Sequence, residues 1–179
     1  MAVVAIFVGV FYAFAGLVVI RAMTLDRLMD QVLVAIKKPG RSFSPSFQSR
    51  LLQIGAYLTL ASGLSLMMLS PFTAVLFLSN AAWQGGYLVW AAYAVPPEDD
   101  ADAKGRRQTV NAFVLFLAAT AFVVWLAAQG FLRPWDAPLW RHTIDGAMLL
   151  AGCVGGWALI HRPWARRRAA NLSSADAIP

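Results

Sequence analysis

The chain has 179 residues, 59% of them hydrophobic and only 13% charged, with a net charge of +6 and a mean hydropathy of +0.60. A water-soluble domain carries about 25% charged residues, so this composition excludes a typical soluble domain and points to a polytopic membrane protein. A single cysteine, Cys153, excludes an intrachain disulfide and any multi-cysteine metal or iron–sulfur site, and the basic surplus is explained by topology and lipid headgroups rather than nucleic acid, since no soluble domain or basic groove exists to hold one.

The first apolar run is Ala2–Ala22. Ala13-Phe14-Ala15 resembles a signal-peptide cleavage site, but no positive charge precedes the run, so a retained first helix is expected. Next comes TLDRLMDQVLVAIKK, residues 24–38, in which Leu25, Leu28, Met29, Val32 and Ile36 recur at helical spacing. Asp26, Arg27, Asp30, Gln31 and Lys37 fill the remaining positions, which predicts an amphipathic helix able to lie in a headgroup layer or to dock a partner helix. Pro39-Gly40 ends it.

The second run, Arg50–Leu69, and the third, Phe72–Val95, are separated only by Ser70-Pro71, which predicts a tight hairpin with Pro71 in the first turn of the third helix. Within the third run, Asn80, Gln84 and Tyr87 share one sector of the helix at 100° per residue, flanked by Trp83 and Trp90. Ala81 and Gly85 fall on a different, small-residue face. A primary amide in mid-span cannot face lipid unpaired, so the stripe must meet protein, water or a ligand. Thr59, Ser62 and Thr120 lie at comparable depth and are the candidate partners. Asn80, Trp83, Gln84 and Tyr87 are therefore a candidate ligand-binding set, set against an interhelical hydrogen-bond clamp.

VPPEDDADAKGRRQ, residues 95–108, has four acids followed by three bases and reads as a solvated loop. It lacks the alternating oxygen ligands and closing Glu of a calcium loop. The fourth run is Val110–Leu132 and the fifth Leu139–Ile160, joined by RPWDAPLW with Trp135 and Trp140 at interfacial positions. Arg141, His142 and Asp145 form a polar cluster at the start of the fifth run. Arg141 and Asp145 are spaced to pair on one helix face, and His142 with Asp145 is a conceivable acid–base or quinone-type site at a depth reached by water. Residues 1–165 read as a single transmembrane domain, and residues 166–179 as a flexible basic tail.

Counting charges orients the chain. With the N-terminus outside, Arg21, Arg27, Lys37, Lys38, Arg41, Arg50, Lys104, Arg106, Arg107, Arg162, Arg166, Arg167 and Arg168 are cytoplasmic, and only Arg133 and Arg141 are outside. That asymmetry obeys the positive-inside rule and selects an odd number of spans. The expected fold is thus an all-α membrane protein: a five-transmembrane-helix bundle of the bacterial inner membrane, C-terminus cytoplasmic.

The spans carry no Asp, Glu, Lys, Arg or His in their central parts, which argues against an ion-coupled pump. His142 and His161 lie nineteen residues apart on one predicted helix, roughly 28 Å at 1.5 Å per residue, so no self-contained haem or metal site is expected and a cofactor is unknown. No nucleophile elbow, phosphate-binding glycine loop or metalloprotease motif is present, and no catalytic residue is assigned. Small residues instead mark helix contacts: Gly9, Ala13 and Gly16 on the first helix, Gly55, Thr59 and Ser62 on the second, Gly152 and Gly156 on the fifth.

IKKPGRSFSP (36–45) and NAAW (80–83), with five spans and seven tryptophans, are similar in part to the tryptophan-rich sensory (translocator) family. The similarity covers about twenty residues; the loop lacks the Trp and paired Pro that the family places after its Lys-Pro, and the fifth span lacks an Asn/Trp pattern. It implies a binder or facilitator of a neutral, apolar small molecule as an alternative. The leading expectation is a non-enzymatic accessory, assembly or structural subunit of a membrane complex, with a membrane enzyme acting on lipid or quinone at the outer surface as a third reading. Expected partners are membrane lipids, anionic ones at the cytoplasmic face, and other membrane subunits or a second copy.

Overall fold

The structure, a computed structural model, describes residues 1–36, 45–94 and 100–175, with side chains over 1–23, 50–94 and 103–158. Its regular elements are all helices: α1 (Ala2–Ile36), α2 (Pro45–Met67), α3 (Phe72–Ala94), α4 (Asp100–Ala128) and α5 (Leu139–Ala175). Among the described residues, two stretches, Ala2–Met23 and Ala103–Ala128, are long and apolar enough to cross a membrane on length and composition.

Each expected apolar run falls on one helix, but bounds shift: α2 starts at Pro45, and α5 is helical to Ala175, through most of the stretch expected as a flexible tail. The charged stretch expected as a loop is helical from Asp100 onward. At its other end α4 stops at Ala128 rather than Leu132, because Gly130 turns left-handed at φ 72°. The backbone of Thr24–Ile36 continues α1 without a break. The side chains of that amphipathic stretch, the Lys-Pro loop that follows it, and the side chains of the basic tail lie outside the described residues.

Glycines set the closest approach in the bundle. α1 crosses α2 with Gly9 and Gly16 against the α2 backbone: a Cβ on Gly16 would lie 2.7 Å from the Leu60 nitrogen, and one on Gly9 2.8 Å from that of Met67. From the other side, Gly63 of α2 faces the Gly9 carbonyl and the Ala13 backbone with no room for a methyl group. α5 rests Gly152 on Leu64, and Gly156 on Leu17 and Leu60. α4 is held to α3 by Phe113 over Gly85 and by Phe116 stacked on Phe77 at 5.4 Å, with Tyr12 of α1 edge-on to both rings. Arg106 of α4 donates to the Ala91 carbonyl, one of the last four in α3 that the helix itself leaves unbonded.

α2 and α4 end in the same way. Ser70 N–H bonds to Ser65 C=O and Leu69 N–H to Leu66 C=O; Phe131 N–H bonds to Leu126 C=O and Gly130 N–H to Ala127 C=O. These are paired Schellman motifs. The left-handed position is Gly130 in one and Leu69, at φ 50°, in the other. A leucine there costs about 1–2 kcal/mol relative to ordinary helical backbone. The two ends are joined, since Arg133 N–H donates to Leu69 C=O at 2.9 Å. Ser70 then starts α3 as its cap, its hydroxyl accepting from Phe72 N–H, with Pro71 in the first turn.

Candidate functional site

The α3 stripe meets α2. Thr59 donates its hydroxyl hydrogen to the Gly55 carbonyl at 2.9 Å, which leaves its two lone pairs to accept. Both are taken: Asn80 Nδ2 donates to Thr59 Oγ1 at 2.9 Å, and Gln84 Nε2 donates to the same oxygen at 3.2 Å. Gln84 Nε2 also donates to Asn80 Oδ1 at 3.0 Å, closing a three-residue ring. Because the Thr59 hydrogen is committed to its own helix, only the nitrogen sides of the two amides can face it. Asn80 is fully buried, and Gln84 half-buried.

Of the three hydroxyls expected as partners, one is used. Ser62 returns its hydroxyl to the Leu58 carbonyl (2.7 Å) and Thr120 to that of Phe116 (2.9 Å), each one turn back on its own helix. Trp83 lies on the same side of α3 as the ring. Its indole N–H donates to the Leu51 carbonyl at 3.0 Å, and its ring edge fills the space that Gly55 leaves open, 3.4 Å from where a Cβ would stand. Tyr87 sits a turn further on, tilted against Trp90 at 6.0 Å. Asn80, Trp83 and Gln84 are thus brought together against α2, and each donates one hydrogen bond to that helix.

At the end of the bundle where the α2–α3 and α4–α5 connections meet, the structure rearranges the second set. Asp145 is buried, at 3% exposure, and its carboxylate accepts from Arg133 Nη1 at 3.1 and 3.3 Å rather than from Arg141. Arg133 also donates through Nη2 to the Met68 carbonyl at 3.2 Å. Arg141 instead holds its guanidinium over the Trp140 ring at 5.1 Å. The reason is radial: helix spacing brings Arg141 within reach of Asp145, but Asp145 is turned inward and Arg141 outward.

His142 bonds through Nε2 to the Trp135 carbonyl at 3.2 Å; a carbonyl only accepts, so Nε2 carries the hydrogen. The imidazole lies between Phe72 (6.0 Å) and Trp135 (6.3 Å), and its Nδ1 is buried without a partner among the described residues. His142 and Asp145 are each engaged by a different group and do not form an acid–base pair. Among the described residues no three or more His, Cys, Asp or Glu are grouped to hold a metal ion.

No protein family, curated protein or solved structure matches the chain, and the partial likeness to translocator motifs is accompanied by no family match. What the site does is therefore read from its own geometry. Two of the residues that organise the bundle carry weaker sequence signals. Gly63 follows Gly55 and Thr59 at four-residue steps, a spacing that marks it as part of the same face. Arg133 stands out only as the one basic residue of the α4–α5 connection.

Proposed function

We propose that the chain is an integral membrane protein that crosses the bacterial inner membrane five times, N-terminus outside and C-terminus cytoplasmic. In this reading it serves as a non-enzymatic accessory, assembly or structural subunit of a membrane complex. The observation that carries the membrane reading is an inverted distribution of side chains. Phe7, Leu115 and Leu150 are exposed at 71%, 69% and 68%, while Ser62, Ser65, Thr73, Asn80, Thr120 and Asp145 are buried. Water would penalise that arrangement; hydrocarbon favours it, because polar groups in lipid must be satisfied inside the protein. The same inversion recurs on α2, α3 and α5. Their hydroxyl, amide and carboxylate groups include those turned inward, and Val75, Leu78, Val89, Met148 and Val154 face out. The distribution of thirteen basic residues against two supports the orientation.

The role follows from what the polar groups are used for. The ring of Thr59, Asn80 and Gln84 is spent on joining α2 to α3, which favours helix glue over a pocket floor. α4 meanwhile keeps Val114, Leu115, Leu117, Val124 and Trp125 exposed, an apolar face available to lipid or to another subunit. Isolation from its native membrane in a mild detergent should recover the chain with a partner subunit or a second copy. A strictly solitary monomer would count against the role.

A further inference from the structure

On the topology proposed above, Arg133 and Arg141 are the two basic residues that the charge asymmetry leaves outside, and both line one cleft of about 480 Å³. Arg133 is accounted for by Asp145 and the Met68 carbonyl. Arg141 is not. It is exposed, it packs on the Trp140 ring, and its guanidinium has no oxygen acceptor among the described residues. Two guanidinium charges against the one carboxylate of Asp145 leave the cleft with a net charge of +1. A guanidinium is planar, always charged and shaped to bond two phosphate oxygens at once.

Away from this rim the lining turns apolar. Ile144 and Met148 follow Arg141 along α5, Met148 about 10 Å further in, and Met67 closes the cleft from α2. A cationic, aromatic rim above a floor of methionine and isoleucine fits an amphiphile, whereas a free anion would use only the rim. We infer that the cleft seats one anionic phospholipid. Its phosphate lies on Arg141 with Arg133 behind it, and its first acyl carbons run along Ile144, Met148 and Met67. This inference rests on the membrane topology of the preceding section.

The full chain in a non-ionic detergent, offered phosphatidylglycerol or phosphatidylcholine with the same acyl chains, is assayed for retained lipid by native mass spectrometry, with inorganic phosphate as a third probe. The wild type should retain phosphatidylglycerol over phosphatidylcholine by about fivefold, the effect of one arginine at a lipid surface. Arg141→Gln should erase that preference with little change in Tm, because the exposed guanidinium makes no hydrogen bond or ion pair among the described residues. An undiminished preference in Arg141→Gln would overturn the inference. So would a rise in Tm with inorganic phosphate equal to that with phosphatidylglycerol, the mark of a soluble-anion site. The topology is read separately, by labelling Asp136→Cys in a Cys153→Ser chain with a membrane-impermeant maleimide on intact cells. Labelling from outside leaves the lipid result to judge the cleft alone; labelling only after lysis brings down both.

Discussion

At the scale of single residues, Thr59 decides what the amides of α3 are for. Its hydroxyl makes all three bonds open to it, one given to Gly55 and two accepted, so any change there is felt by two donors at once. Thr59→Val keeps the shape and removes both acceptors. It should lower stability by about 1–3 kcal/mol, and a cycle with Asn80→Leu should show a coupling of about 0.5–2 kcal/mol, read from thermal unfolding in detergent. A ligand pocket predicts the reverse, with binding lost and stability unchanged or improved. The face that holds Asn80 and Gln84 was legible from residue spacing, because the angle between positions on a helix is set by its geometry. Which hydroxyl they meet was not. Depth along a span says nothing of direction around it, and Ser62 and Thr120 bond back to their own helices at the same depth. The partner of Asp145 was hidden for a related reason: four-residue spacing proposes Arg141, but burial turns the carboxylate to a loop residue twelve positions earlier.

At the scale of elements, the bundle depends on places where a side chain must be absent. Gly63→Ala would push a methyl group into the Gly9 carbonyl and the Ala13 backbone, neither of which can swing aside. The cost of such overpacking is typically about 1–3 kcal/mol. Gly130→Ala meets nothing within 4 Å, yet it would force a Cβ onto a left-handed residue. It should cost about 1–2 kcal/mol from backbone strain alone. Equilibrium unfolding of the two variants therefore separates crowding from strain, and a neutral Gly63→Ala would refute the tight crossing of α1 and α2. The helices themselves were legible because long apolar runs, Pro71 and the spacing of small residues are local signals. The start of α4 was not, since Glu98, Asp99, Asp100 and Asp102 suggest a solvated loop as readily as a helix entry.

At the scale of the molecule, one residue ties together parts of the chain that are distant in sequence. Arg133 joins the end of α2, the α4–α5 connection and α5 through Met68, Leu69 and Asp145. Arg133→Gln leaves the Asp145 carboxylate buried without its counter-charge. The expected loss is about 2–3 kcal/mol, less than for a fully buried pair because the arginine side chain is 33% exposed. Asp145→Asn should cost less, since the exposed side of Arg133 keeps its charge solvated; equal losses in the two would show that the ion pair is not what joins these elements. The same latch orders the making of the protein in time. The carbonyl of Met68 waits for a guanidinium 65 positions further along the chain. A ribosome therefore delivers α1, α2 and α3 with the Met68 and Leu69 carbonyls still unmet by Arg133, and the residue that meets both emerges only after α4.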